Sequence, residues 1–242
     1  MSARLREGYR ALVLGATGAL GQAFAHALAQ DPRCAQVVPV GRTGTTLDTG
    51  STPVGSVPAW DLKDEASLVA LAAALTGPFH LVIDATGALT LDGRGPEKRL
   101  ADVDAQGLAN SLLVNAIGPV LLLRHLSPLL ARGERVVWAK LSARVGSIQD
   151  NHKGGWYSYR MAKAALNQGL QTAAIELARQ RPEMVVAAMQ PGTVRSRLSQ
   201  PFVGDAAQAP EEAVRGLLAA LNGLEPHGRA HFVDHAGVAI PW

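Results

Sequence analysis

Tyr159 and Lys163 lie four residues apart in Tyr159-Arg160-Met161-Ala162-Lys163. The stretch reads as helix, so both side chains leave one face. A free tyrosine ionises near pH 10. An ammonium beside it favours the phenolate and lowers that value, giving a general acid for a carbonyl or a general base for an alcohol. A Tyr-x-x-x-Lys spacing is common in helices, so its meaning depends on what the chain places around it. Gly15-Ala16-Thr17-Gly18-Ala19-Leu20-Gly21 is a second chemical signal. Gly15, Gly18 and Gly21 let backbone approach a pyrophosphate, and a helix opening at Ala19 and Leu20, just past Thr17, offers free N–H groups and a positive dipole end. The third signal lies at the end of the next strand. An acid there, about 20 residues past the glycines, suits the ribose hydroxyls of NAD, whereas an arginine suits a 2′-phosphate. The residues are Gly41-Arg42-Thr43, with no acid before Asp48. Arg42, with Thr43 beside it, therefore points to NADP(H) over NAD(H).

These residues need a scaffold, and the chain supplies short β-rich runs alternating with longer helical ones. Strands are expected at Tyr9–Leu14, Gln36–Val40, Ala59–Leu62, Phe79–Ala85, Arg135–Leu141, Val185–Gln190 and Arg229–Asp234. Helices are expected at Ala19–Gln30, Asp64–Leu75, Asp102–Leu130 with a break or kink near Gly118–Pro119, and Tyr157–Arg179. Thr43–Pro58 and Leu89–Glu97 read as loops. Such alternation predicts an α/β fold: a doubly wound, Rossmann-like parallel sheet of about seven strands with helices on both faces. Fully apolar strands such as Val185–Met189 agree, because both their faces are covered. The whole of residues 1–242 reads as one domain, with a substrate loop around residues 195–210. Sheets of this kind bind ligands at the carboxyl ends of their strands.

Composition narrows the partners. Of 242 residues, 48% are hydrophobic and 18% charged, a globular balance. The net charge is +3 and the pI about 9.3, but the basic residues are scattered and no run tracks a phosphate backbone, which argues against nucleic acid. Cys34 is the single cysteine, so no internal disulfide and no thiolate-rich zinc site can form. It also fits a reducing, cytoplasmic location. The longest apolar run, Leu112–Leu123, carries Asn115, Gly118 and Pro119 and is too short to span a bilayer. Arg4, Arg6 and Arg10 before Ala11–Leu14 imitate a signal peptide, but the glycine turn breaks the apolar stretch. No metal site is expected. His227, His231 and His235 are spaced by four, but on a strand that spacing separates them by about 13 Å.

With these motifs in order, the sequence resembles the short-chain dehydrogenase/reductase family over essentially its whole length. The likeness rests on the glycine turn, Asp61-Leu62, Asn115 in the central helix, a serine near the fifth expected strand, Tyr159-x-x-x-Lys163, and Pro191-Gly192. It is closer to the subgroup of the C-factor signalling protein and carbonyl reductases, through Leu141-Ser142-Ala143-Arg144-Val145-Gly146-Ser147-Ile148, Gly154-Gly155-Trp156-Tyr157-Ser158-Tyr159-Arg160 and Ile240-Pro241-Trp242. The resemblance implies that Tyr159 donates the proton and that Lys163 binds the nicotinamide ribose and lowers the tyrosine pKa. It implies that Asn115 holds a relay water, that Asp61 and Leu62 contact adenine, and that Ala85, Thr86 and Gly87 line the cofactor side. Pro191, Gly192, Thr193, Val194 and Ser196 would border the nicotinamide. A homodimer or homotetramer is implied as well.

Three departures stand out. The fourth expected strand ends in Asp84-Ala85-Thr86-Gly87 where the family often has Asn-Asn-Ala-Gly. The first turn has Gly-x-x-Gly-x-x-Gly spacing. The family's catalytic serine, three residues before Gly146, falls on Ala143. A slip of one residue turns a side chain to the other face. Ser142 is assigned the role here, with Ser147 and no serine at all as the alternatives. The expected function is NADPH-dependent reduction of a ketone or aldehyde, or the reverse with an alcohol. Two competitors are a nucleotide-binding signalling protein with little turnover, and an isomerase or epimerase, which would need more chain after the sixth expected strand. Trp156 and Tyr157 are candidates for the substrate wall, and His152 for a loop contact.

Overall fold

The computed structural model describes residues 4–44, 57–196 and 207–242. Asp48 and most of the loop expected around residues 195–210 lie outside them. Six strands form one sheet: β1 (Tyr9–Leu14), β2 (Cys34–Val40), β3 (Leu81–Asp84), β4 (Val136–Leu141), β5 (Met184–Gln190) and β6 (Ala230–Asp234). All five pairings are parallel, in the order β2-β1-β3-β4-β5-β6. Parallel neighbours need crossovers, and the helices supply them: α1 (Ala19–Ala29), α2 (Glu65–Ala74), α3 (Ala105–Leu112), α4 (Gly118–Leu126), α5 (Tyr157–Ala178) and α6 (Pro210–Gly223).

The strand period of two sends alternate residues into two cores. Leu12, Leu14, Val82, Trp138 and Val186 pack beneath α2, α4 and α5, against Leu68, Leu71, Leu122, Leu166 and Leu170. Ala11, Val13, Ile83, Ala139 and Val185 face the other way, against Phe24 and Leu28 of α1 and Val214, Leu217 and Leu221 of α6. Apolar residues at every strand position are thus the requirement of a sheet covered twice.

The expected strand at Ala59–Leu62 is not formed, so among the described residues the sheet has six strands where about seven were expected. Pro58 has no N–H for a ladder. Trp60 binds the end of β2 instead, donating its backbone N–H to Arg42 O (2.9 Å) and its indole N–H to Gly41 O (2.9 Å). Leu62 turns inward against α4, where a Cβ added to Gly118 would stand 2.6 Å from Leu62 Cβ. Helix α6, absent from the sequence reading, opens with Pro210 in its first turn followed by Glu211 and Glu212, which suit a helix N-terminus.

The central helical run is continuous through Gly118–Pro119, and the expected disturbance takes the form of an altered helical register just before it. The run passes from α3 to α4 through a π-helical stretch, Leu113–Ile117. Pro119 has no N–H to give the carbonyl four residues back, at Asn115. The chain answers with a wider register, in which Gly118 N–H reaches Leu113 O. The run Ala105–Leu129 is, by length and composition, long and apolar enough to cross a membrane, although the sequence reading judged its apolar core too short; 44% of its most apolar window is buried in the fold.

Candidate active site

The order of strands reverses between β1 and its neighbours β2 and β3, and the turns after β1 and β3 meet there. Gly15 adopts φ +76°, and a Cβ on it would lie 3.2 Å from the Ala85 carbonyl and Thr86 N. Gly21 brings α1 against that turn, with an added Cβ only 2.2 Å from Gly15 O. Gly18 caps α1 without a side-chain hydrogen bond, and no acid occupies the first turn. Thr17, Gly18, Ala19 and Leu20 therefore form a helix N-terminus open to an anion, which fits the phosphates of a dinucleotide. Arg42 is exposed at the end of β2, with Thr43 beside it.

A cavity of about 300 Å³ opens at the carboxyl ends of the strands. Of the expected site residues it gathers Leu20, Ala85, Thr86, Gly87, Ser142, Tyr159, Lys163, Pro191, Gly192, Thr193, Val194 and Ser196. Gly15, Thr17, Gly18, Ala19, Gly21, Arg42, Thr43, Asp61, Leu62 and Asn115 do not line it. Asp61 is exposed and its carboxylate accepts the Lys63 N–H (2.8 Å). The lining also includes Trp156, a candidate for the substrate wall, and Ala143, where the family's serine would fall, whereas Tyr157 is not part of it; Leu89, Leu141, Arg144, Val145 and Gln190 join it without having been assigned to the site from the sequence. Position was the only signal for most of them, since they directly follow β4 or end β5.

Lys163 is buried on α5 and donates to Leu141 O (3.1 Å), with its ammonium 5.5 Å from the centre of the Tyr159 ring. Burial, and then the nearby Lys140 cation, push Lys163 down to about 7 against the opposing pull of Asp84. Burial pushes the Tyr159 hydroxyl upward. Burial is the cause acting on Tyr159, and it favours the neutral phenol, the form that can give a proton. Trp156 meets Tyr159 edge to face at 6.2 Å. Its backbone is left-handed (φ +56°), a strained conformation for so bulky a residue. Glu97 holds it there: Glu97 O accepts the Trp156 N–H (2.5 Å) and Glu97 Oε2 accepts the Ser158 N–H and hydroxyl.

Asn115 is fully buried in the π-helical stretch. Its amide grips the backbone of Ala88, accepting from N (3.0 Å) and donating to O (2.9 Å), which fixes the turn after β3 against the helix. Ser142 lies on the cavity wall, but its hydroxyl donates to Asn167 Oδ1 of α5 (2.7 Å). Ser147 is buried outside the cavity lining, where its Oγ accepts the Asp150 N–H. Ala143 lines the cavity without a hydroxyl. Ser142→Ala is expected to lower turnover less than about tenfold, because the hydroxyl is engaged with Asn167. Ala143→Ser is expected to raise turnover. Steady-state rates of both variants check this, and a larger loss in Ser142→Ala would assign the reacting hydroxyl to Ser142.

Gln208 organises the segment after β5, donating to Pro191 O (2.7 Å). Its side-chain nitrogen would stand 2.6 Å from a Cβ at Gly192, whose φ is +77°. His152 is exposed and outside the lining. Among the described residues no cluster could hold a metal. The histidine argument nevertheless needs correction. His227 precedes β6, Gly228 turns the chain (φ +73°), and the His227 and His231 rings stack 4.1 Å apart. Burial, then His227 and Arg135, lower His231 from its ordinary 6.5 to about 4. The unfolded chain takes up this proton near pH 6.5 and the folded one only near 4, so His231 weakens the fold as pH falls through that window. Thermal melts of His231→Gln against the parent are expected to show a shallower loss of stability between those values.

Comparisons with known proteins agree with this geometry. Residues 15–221 match the family model described as Enoyl-(Acyl carrier protein) reductase. The C-signal of Myxococcus xanthus is 34% identical over 168 residues, covering 69% of this chain and 95% of that protein. The 1-hydroxy-2-glutathionyl-2-methyl-3-butene dehydrogenase of Rhodococcus sp. is 28% identical over 199 residues, covering 81% and 84%. A solved short-chain dehydrogenase/reductase of Burkholderia multivorans with bound NADP superposes with a TM-score of 0.78 at 26% identity, covering 97% of this chain and 99% of that one. The chain belongs to the short-chain dehydrogenase/reductase family, as its motifs implied, and is an NAD(P)-dependent oxidoreductase of that family.

Proposed function

We propose that the protein is a carbonyl reductase that uses NADPH to reduce a ketone or aldehyde in the cavity beside Tyr159. The observation that carries this reading is the placement of a half-buried phenol and a buried lysine on one wall of a largely apolar cavity at the strand ends. The nicotinamide, when bound, supplies the hydride. Tyr159 gives its proton to the carbonyl oxygen, and Lys163 steadies the phenolate that remains. Gly15, Thr17, Gly18, Ala19, Leu20 and Gly21 would receive the pyrophosphate. Ala85, Thr86, Gly87, Pro191, Gly192, Thr193, Val194 and Ser196 would hold the nicotinamide half, and Asp61 and Leu62 the adenine. Asn115 keeps the turn after β3 in place and, with Lys163, would pass a proton outward through water. Leu89, Val145 and Trp156 exclude bulk water, which strengthens the polar contacts within. Exposed Met161 and Ile175 on α5 support a homodimer or homotetramer. No contact to nucleic acid or membrane is part of this reading, and the setting proposed is the cytoplasm.

The preference for NADPH over NADH is supported by Arg42, exposed just after β2, where an arginine suits a 2′-phosphate. Arg42→Ala is expected to weaken NADPH binding by about tenfold or more, from the loss of a charge-assisted contact, and to leave NADH unchanged. Fluorescence titration with both nucleotides tests it. Equal loss for both would remove Arg42 from the specificity argument.

A second reading has support of its own. Ala143 and the likeness to C-signal favour a nucleotide-binding signalling protein with little turnover. Tight NADPH binding with no reduction of any carbonyl would be its signature.

A further inference from the structure

Lys140 and Asp84 are direct register partners on β4 and β3. Both are fully buried, although each sits at the end of an otherwise apolar strand. Burying two charges costs several kcal/mol per ion unless their pairing and hydrogen bonds are good. Here Lys140 Nζ donates to Asp84 Oδ1 (2.9 Å), Thr86 O (2.6 Å) and Thr86 Oγ1 (2.9 Å). Asp84 Oδ1 also accepts the Thr86 N–H (3.0 Å) and hydroxyl (2.5 Å). The lysine's donors are thus well used, yet Asp84 Oδ2 is buried without a hydrogen-bond partner. A pair kept only for stability could be replaced by apolar residues at little cost. This one borders the reacting groups. Ala85, Thr86 and Gly87 line the cavity, and a Cβ on Gly87 would lie 3.7 Å from Lys163 Nζ and 3.2 Å from Asn115 Oδ1.

We propose that the Lys140–Asp84 pair is a positioning element for the reacting groups, clamping the Ala85–Gly87 turn through Thr86 and setting the charge that Lys163 experiences. The role of Lys163 rests on the reductase reading above; the clamp itself does not. The groups acting on Lys163 are Asp84 from β3, Lys140 from β4 and Tyr159 one turn back on α5, while Arg144 lines the same cavity and the central helix presents only the uncharged Asn115. The Lys140 cation, held against burial by its contacts with Asp84, disfavours the Lys163 ammonium, and the Asp84 anion favours it. Removing Lys140 alone must therefore raise the pH at which Lys163 loses its proton. Neutralising both partners removes two opposing influences and must leave that pH below the one reached without Lys140 alone.

The full chain carries only five lysines, so selective ¹³C labelling of their ε-carbons lets Lys163 be followed by NMR, with Lys163→Met for assignment. The parent is expected to titrate near 7. Lys140→Gln is expected to move the midpoint up by roughly half a pH unit or more, as a buried cation is removed at close range. The double variant Asp84→Asn/Lys140→Gln is expected below Lys140→Gln, and the same order should appear in the pH profile of NADPH oxidation. A Lys140→Gln midpoint at or below the parent's overturns the proposal. If that variant does not fold, the double variant, which leaves no unpaired charge, decides by comparison with Asp84→Asn alone: its midpoint must be the higher of the two, and an equal or lower one overturns the proposal. The NMR titration needs no turnover. An absence of NADPH oxidation in the parent would therefore count against the reductase reading while leaving the titration to judge the pair.

Discussion

Tyr159→Phe is expected to lower carbonyl reduction by a factor of about 10² to 10⁴ and to leave NADPH binding in place. That range is what a positioned general acid contributes to a proton-transfer step. Only one oxygen changes, and the ring stays in its contact with Trp156. Lys163 keeps its bond to Leu141 O, so the wall that faces the cofactor survives. The neutral state of the phenol sharpens the expectation. Burial holds the proton on Tyr159, whereas Ser142 spends its proton on Asn167, Ala143 has none to give, and Thr86 donates to Asp84; the hydroxyls of Thr193 and Ser196 also belong to the lining. Single-turnover rates with saturating NADPH, beside a fluorescence titration, separate the two effects. Retained turnover would show that the proton comes from elsewhere.

Gly21→Ala is the second large effect. The added methyl would meet Gly15 O at 2.2 Å, Gly15 C at 2.8 Å and Ala16 Cα at 2.9 Å, all backbone. No side chain can swing aside there, so the helix must back away from the turn. Overpacking of this kind costs about 1–3 kcal/mol, and the displaced helix N-terminus no longer aims its N–H groups at the pyrophosphate. Stability and NADPH affinity should fall together, the affinity by about tenfold or more, since 1.4 kcal/mol is a factor of ten. Gly223→Ala is the control, because nothing lies within 4 Å of a Cβ there. It should leave NADPH binding unchanged. Equal behaviour of the two variants would mean that the close approach at Gly21 does not shape the site.

Much of this was legible because a doubly covered sheet writes itself plainly. The limits of β1 at Tyr9–Leu14 follow from its apolar run and the glycine turn that ends it. Tyr159 and Lys163 meet at the cavity because helical spacing alone brings them to one face. What stayed hidden depends on contacts between distant segments. Ala59–Leu62 has strand-like residues, but Trp60 finds its partners at Gly41 and Arg42 and the ladder never starts. The π-helical stretch comes from a missing donor at Pro119, whose effect falls on residues before it. Ser142 could be placed on the wall from its neighbours, but only the structure reveals Asn167 as the partner of its hydroxyl. Asp84 and Lys140 could be seen as charges in apolar strands, yet their pairing needs the register of β3 on β4, which no local pattern carries.

The central claim is that this cavity reduces a carbonyl with NADPH. The direct measurement is NADPH oxidation by the purified full chain against a panel of ketones, quinones and aldehydes, with the alcohol product identified. We expect oxidation matched by alcohol formation, greater with NADPH than with NADH, and lost in Tyr159→Phe. Tight binding of NADPH with no product from any carbonyl would contradict the claim and leave a nucleotide-binding protein whose missing hydroxyl at Ala143 has silenced it.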